Sequence, residues 1–165
     1  MIRQPLGQRL RAVPGRSIYL AGQTPVIEFK RGNYTISTDK SRLDKEVIRD
    51  FLANESYWAR GIPMARVQKS IENSLCFGLY DGDEQIGFAR VISDCAVIAY
   101  LSDVFILERC RGRGLAKWLT ECVLSHPDLQ GLHRWVLVTE DAHGLYARYG
   151  FKPLSRPDMF MELTG

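Results

Sequence analysis

The apolar positions change rhythm along the chain, and each change marks an element. Tyr34, Ile36 and Thr38 alternate with Thr35 and Ser37, the period of two of a half-buried strand. From Leu43 the step lengthens: Leu43, Val47, Ile48, Phe51 and Leu52 form a stripe that predicts a helix over 43–53, with Ser41 or Asp39 as its cap. A second helix, over 64–73, follows Pro63 and puts Val67 and Ile71 on one face. Leu75 to Tyr80 and Gln85 to Ser93 read as two strands joined through Asp81-Gly82-Asp83-Glu84, a hairpin connection. A further strand, 96–107, is expected to pair with the second of these. Strict alternation would place Tyr100, Ser102, Val104 and Ile106 on one face and Leu101, Asp103 and Phe105 on the other.

Leu115, Ala116, Leu119, Cys122 and Val123 then recur at helical spacing. The predicted helix starts near Gly112 and runs to about Ser125, stopped by Pro127. His133 to Thr139 reads as a strand, Asp141 to Tyr149 as a short helix, and 151–163 as a closing hairpin region around Ser155 to Asp158. Before Tyr34 the breakers Pro5, Gly7, Pro14, Gly15, Gly22, Pro25 and Gly32 leave only short extended pieces, at 17–20 and 26–30. Several strands come in succession before the first helix-opening glycine turn. That order favours a mixed, mostly antiparallel sheet of about six to seven strands with about four helices, in the α/β (α+β) class, over a repeating βαβ fold.

Composition narrows the picture without redirecting it. The 165 residues, 45% hydrophobic and 25% charged, suit one domain. No apolar run approaches the roughly 20 residues of a membrane helix and no apolar leader opens the chain, so a cytoplasmic protein with no membrane partner is expected. A net charge of +3 is too small to imply nucleic acid as a partner. Residues 1–33 are locally basic and read as an N-terminal extension of unassigned role rather than an organelle transit segment; covering a sheet edge or forming a homodimer contact are both open to it. Cys76, Cys95, Cys110 and Cys122 lack CxxC spacing, so neither a metal site nor a disulfide framework is expected, and Cys110 reads as a small passive residue with a reactive thiol as the alternative.

The candidate chemistry concentrates in YLSDVFILERCRGRGLAKW, residues 100–118. An apolar strand runs into a glycine turn and then a helix, whose first N–H groups lack intrahelical acceptors and carry the positive end of the macrodipole. Gly112 and Gly114 let a bulky anion approach the main chain. Arg109, Arg111, Arg113 and Lys117 supply four positive charges against Glu108, so a diphosphate suits the site.

Arg109-Cys110-Arg111-Gly112-Arg113-Gly114 resembles the R/Q-x-x-G-x-G/A motif of the GNAT superfamily of acyl-CoA N-acyltransferases. A second stretch, Leu145 to Phe151 (LYARYGF) with Ala142 before it, resembles that family's L-Y-x-x-x-G-F signature. The resemblance covers about residues 34 to 163 and implies a GNAT domain over 34–165, with its sheet splayed into a slot for acetyl-CoA. It implies that Tyr146 protonates the coenzyme A thiolate. It also implies that the cofactor is held by Val104, Phe105 and Ile106 through their main chain, by the turn from Arg109 through Leu115, Ala116 and Lys117, and by Thr139 and His143. The acceptor amine, of a small molecule or a protein, would lie among Tyr57, Trp58, Tyr100, Ser102 and Asp103.

Two positions depart from the family pattern. Tyr100 stands where many members carry a glutamate base, and Thr139 where many carry asparagine. A proton acceptor then has to come from water relayed by Ser102 or Tyr100, from Asp103 or from His143. Asp103 equally suits a structural role, and Tyr57 with Trp58 a packing plug. The missing glutamate also leaves a noncatalytic acyl-CoA sensor as the alternative function.

Overall fold

The computed structural model describes residues 25–164. Its sheet has six strands in sequential order: β1 (Glu28–Arg31), β2 (Tyr34–Ser37), β3 (Leu75–Asp81), β4 (Glu84–Ser93), β5 (Ile98–Ile106) and β6 (Arg134–Val136). The first five pair antiparallel and β6 pairs parallel to β5. The extended piece expected at 26–30 is thus the edge strand β1, held to β2 and tied by Glu28 to Arg42 at 2.7 Å. The piece expected at 17–20 lies outside the described residues.

Among the described residues four α-helices flank the sheet: α1 (Lys45–Asp50), α2 (Met64–Glu72), α3 (Leu115–Leu124) and α4 (His143–Ala147). Helix α1 is capped by Asp44, whose carboxylate accepts from the Glu46 and Val47 N–H groups. Asp39, one of the two expected caps, instead caps a preceding 3-10 turn. The chain continues past α1 as a π-helical turn, Phe51–Glu55, which keeps Phe51 and Leu52 inward. Pro63 sits at the N-cap of α2, where its missing N–H costs nothing.

The sheet divides the core in two. On one face α3 buries Leu115, Trp118, Leu119, Cys122 and Val123 against Ile36, Phe77, Leu79 and Val91. On the other, Ile48, Phe51, Leu52, Val67 and Ile71 of the α1–α2 layer pack on Cys76, Phe88 and Phe105, with the Phe51 and Phe105 rings stacked at 4.0 Å.

The strict alternation expected along β5 fails at Asp103. Arg90 pairs with Ser102 and Phe88 with Phe105, so Ala89 alone faces both Asp103 and Val104: a β-bulge, with Asp103 at φ 51°. The extra residue reverses the phase. Leu101 packs with the α3 layer and Phe105 with the α1–α2 layer, although unbroken alternation puts them on one face.

The closing hairpin expected over 151–163 is absent. Those residues form no strand, only a 3-10 turn at Pro157–Met159. Proline at 153 and 157 removes two ladder donors from a short stretch, which accounts for the failure to pair. No helix among the described residues is long and apolar enough to cross a membrane.

Candidate active site

The site is built where β5 and β6 part. Their pairing covers only Ile98 to Tyr100 against Arg134 to Val136, although β5 runs on to Ile106. Beyond Tyr100 the two chains diverge and enclose a cavity of about 350 Å³. Tyr100, Ser102, Asp103 and Val104 line one wall and Leu137, Val138 and Thr139 the other. Tyr57 and Trp58, from the loop between α1 and α2, close it, and Tyr146 of α4 reaches it. All five residues expected around the acceptor therefore meet in one cavity with the expected catalytic tyrosine.

Asp103 organises this wall. Its carboxylate is buried beside Arg90, which donates from Nε at 2.7 Å. It also accepts from the Trp58 indole N–H at 3.1 Å and from the Ser102 hydroxyl at 3.2 Å. Arg90 in turn donates to Ser74 Oγ at 3.0 Å. The bulge aims the carboxylate at these donors, and Asp, which tolerates the left-handed region, can occupy it. Three donors thus occupy the carboxylate and tie Trp58 to the bulge.

The other wall is fixed locally. The Glu140 N–H donates to Tyr57 Oη at 2.8 Å, joining the α1–α2 loop to the segment after β6. Thr139 Oγ1 accepts from the Ala142 N–H at 3.0 Å, so its side chain serves the start of α4. His143 is exposed and lines a second cavity, with Trp135 and Phe151, that shares Leu137 to Thr139 with the first. Tyr146 is buried at the junction of the two cavities. Burial pushes its phenol up to about 12, and Tyr57 and Asp141 push the same way.

At the far end of β5 lies the glycine turn. Gly112 and Gly114 have φ of 77° and 73°, where a side chain is strained, and no atom lies within 4 Å of the place a Cβ would take. Gly114 caps α3 without any side-chain acceptor, which leaves the first amides of a ten-residue helix open. Around them, Arg111 donates through Nε to the Ile106 carbonyl at 3.0 Å. Arg113 reaches Tyr34 Oη at 3.3 Å, and Arg109 pairs with Glu84. Lys117 is exposed on the first turn. An anion cradle of main-chain donors rimmed by cations fits a diphosphate. Cys110, within the turn, is buried in the α3 core layer.

The sequence reading missed Arg90, Leu137, Val138, Asp141 and Glu162, all of which line the cavity or anchor its wall. Arg90 stood in a strand without a motif. Asp141 and Glu162 are exposed carboxylates with no periodic signal.

A family model described as an acetyltransferase (GNAT) domain matches residues 72–153. A Gibberella zeae protein bearing the description "Putative acetyltransferase" is 30% identical over 140 residues, covering 72% of this chain and 78% of that protein. A solved structure from Xanthomonas campestris pv. campestris, a "putative acetyltransferase belonging to the GNAT family", is 52% identical with a TM-score of 0.78, covering 80% of this chain and 93% of that one. A GNAT family acetyltransferase from Elizabethkingia anophelis, solved with acetyl-CoA bound, shares the fold at 16% identity, with a TM-score of 0.57 over 80% of this chain and 88% of that one.

Proposed function

The chain belongs to the GNAT acetyltransferase family, and from that premise we propose that it transfers the acetyl group of acetyl-CoA to a primary amine of a small molecule or of an exposed protein residue, in the cytoplasm. The observation that carries this reading is the convergence of Tyr146, the Tyr57–Trp58 loop and the bulged strand on one cavity, with the anion cradle at that strand's end.

Residues 112–117 would hold the diphosphate through the open amides of α3, with Arg111 and Arg113 beside it. The β6-facing edge of Val104 to Ile106, which makes no strand pair, offers main-chain groups to an amide-bearing arm. Bound there, acetyl-CoA supplies a thioester carbon on which the C–N bond forms as the C–S bond breaks. Burial pushes the Tyr146 phenol up to about 12, so Tyr146 Oη keeps its proton at neutral pH and would give it to the departing sulfur. The ammonium releases two protons on becoming an amide, one to solvent before attack and one to the Tyr146 phenolate, so the exchange balances. Asp103 is spent on Arg90 and Trp58, and His143 lines the other cavity; water relayed past Tyr100 or Ser102 is the route this wall leaves for the amine's first proton.

Thiol release from acetyl-CoA over a panel of amines, in wild type and in Tyr146→Phe, tests the reading. An enzyme should lose about 10–100-fold in kcat with Tyr146→Phe while its acetyl-CoA affinity is unchanged. A wild type that binds acetyl-CoA but acetylates no amine, and a Tyr146→Phe variant identical to it, would instead identify a sensor.

A further inference from the structure

The cavity's charge balance says more about the acceptor than the transfer chemistry does. Three acidic residues line it, Asp103, Asp141 and Glu162, and among the described residues no lysine, arginine or histidine does. Asp103 is neutralised from behind by Arg90. Asp141 and Glu162 have no ion-pair partner among the described residues, since none of the seven ion pairs there includes them. Two acidic residues outside any ion pair of the described residues therefore line one small volume, from two different segments of chain: the turn into α4 and the C-terminal stretch.

The remaining wall is aromatic. Tyr57 and Trp58 meet edge to face at 4.9 Å between centroids, and Tyr100 joins them on the β5 side. Trp58 is locked by its bond to Asp103 and Tyr57 by its bond from Glu140, so the π-faces are held in place before any ligand arrives. Ring faces and carboxylates attract the same ligand charge. A carboxylate or phosphate on the acceptor would meet both as repulsion.

Resting on the acetyl-transfer reading above, we propose that the acceptor is an amine carrying a second cationic centre. One nitrogen reacts beside Tyr146 while the other is held by Asp141 and Glu162 against the aromatic wall. The second centre stays protonated throughout and takes no part in bond making; the reacting nitrogen, arriving as an ammonium, loses one proton to water before attack and a second to the Tyr146 phenolate as it gains the acetyl group.

A matched series isolates the claim: 1,4-diaminobutane, 1-aminobutane and 4-aminobutanoate share chain and reacting amine and differ in terminal charge. Their kcat/KM values should fall in that order, with the diamine at least about tenfold above the monoamine, a factor set by one ammonium–carboxylate contact in a partly enclosed site. In Asp141→Asn/Glu162→Gln the diamine-to-monoamine ratio should fall toward one, mainly through KM for the diamine. Equal use of diamine and monoamine by wild type, or preference for 4-aminobutanoate, overturns the proposal. Calorimetric binding of 1,4-diaminobutane to protein saturated with coenzyme A separates it from the transfer reading. Binding that the double variant abolishes, without turnover in wild type, upholds the cation site and sinks the transferase; no binding and no diamine preference sink the cation site alone.

Discussion

Asp103→Asn is the perturbation that most directly probes how the acceptor wall is held. Asparagine is nearly isosteric and tolerates the left-handed backbone at φ 51°, so the change removes charge with little new backbone strain. What it leaves is Arg90, whose side chain is 13% exposed, without its counter-ion. Removing one member of a buried pair costs about 3–5 kcal/mol when nothing replaces it. Here the amide oxygen can still accept from Arg90 or Trp58, and Ser74 Oγ still accepts from Arg90, so the expected loss is about 2–4 kcal/mol. For a domain of this size that is a fall in Tm of roughly 5–15 °C. Urea unfolding with unchanged m reads the loss, and Arg90→Met added to Asp103→Asn should recover part of it by removing the orphaned charge. The loosened Trp58 should also raise KM for the amine with little change in acetyl-CoA affinity. A loss below about 0.5 kcal/mol in Asp103→Asn, within the range of ordinary surface changes, would refute the account of a buried, wall-setting ion pair.

Other perturbations separate the parts of the site from the scaffold. Gly114→Val puts a β-branched residue at φ 73° beside the open amides of α3 and should weaken coenzyme A binding by an order of magnitude or more, whereas Lys117→Ala, on the exposed turn, should cost only a few-fold and more at low salt. His126 is fully buried against Phe77, and desolvation lowers its pKa below the ordinary 6.5. The unfolded chain therefore binds a proton there first, and stability present above pH 6.5 is lost as pH falls from that value through the lowered one. Urea midpoints measured between pH 5 and 7.5 should show this loss in wild type and a shallower one in His126→Leu.

How much of this was legible in sequence depended on how local each determinant was. The glycine turn, the α3 stripe and the Tyr146 helix are written in contiguous residues, and each lies within a few positions of where spacing put it. That Tyr57 and Trp58 meet Tyr100, Ser102 and Asp103 was foreseen only through the family resemblance, since the pair lies on the α1–α2 loop and the three on β5. The bulge was hidden because periodicity assumes one residue opposite one, and the Ala89 mismatch exists only once β4 lies beside β5. The failed closing hairpin shows the converse: 151–163 reads as a hairpin around Ser155 to Asp158, but the prolines at 153 and 157 withhold donors a ladder needs. Asp44 displaced the expected caps because its carboxylate lies next to the amides of α1, which starts at Lys45, two residues later than the stripe suggests. Asp141 and Glu162 had no local signature; only the cavity brings them together.

The most direct test of the central claim is titration calorimetry of the folded protein with acetyl-CoA, with thiol release followed on the same sample after adding an amine. The account predicts saturable binding at one site per chain, weakened by Gly114→Val, followed by thiol release that depends on the amine and on Tyr146. A folded protein that shows no heat with acetyl-CoA would contradict the reading of residues 109–117 and the function built on it.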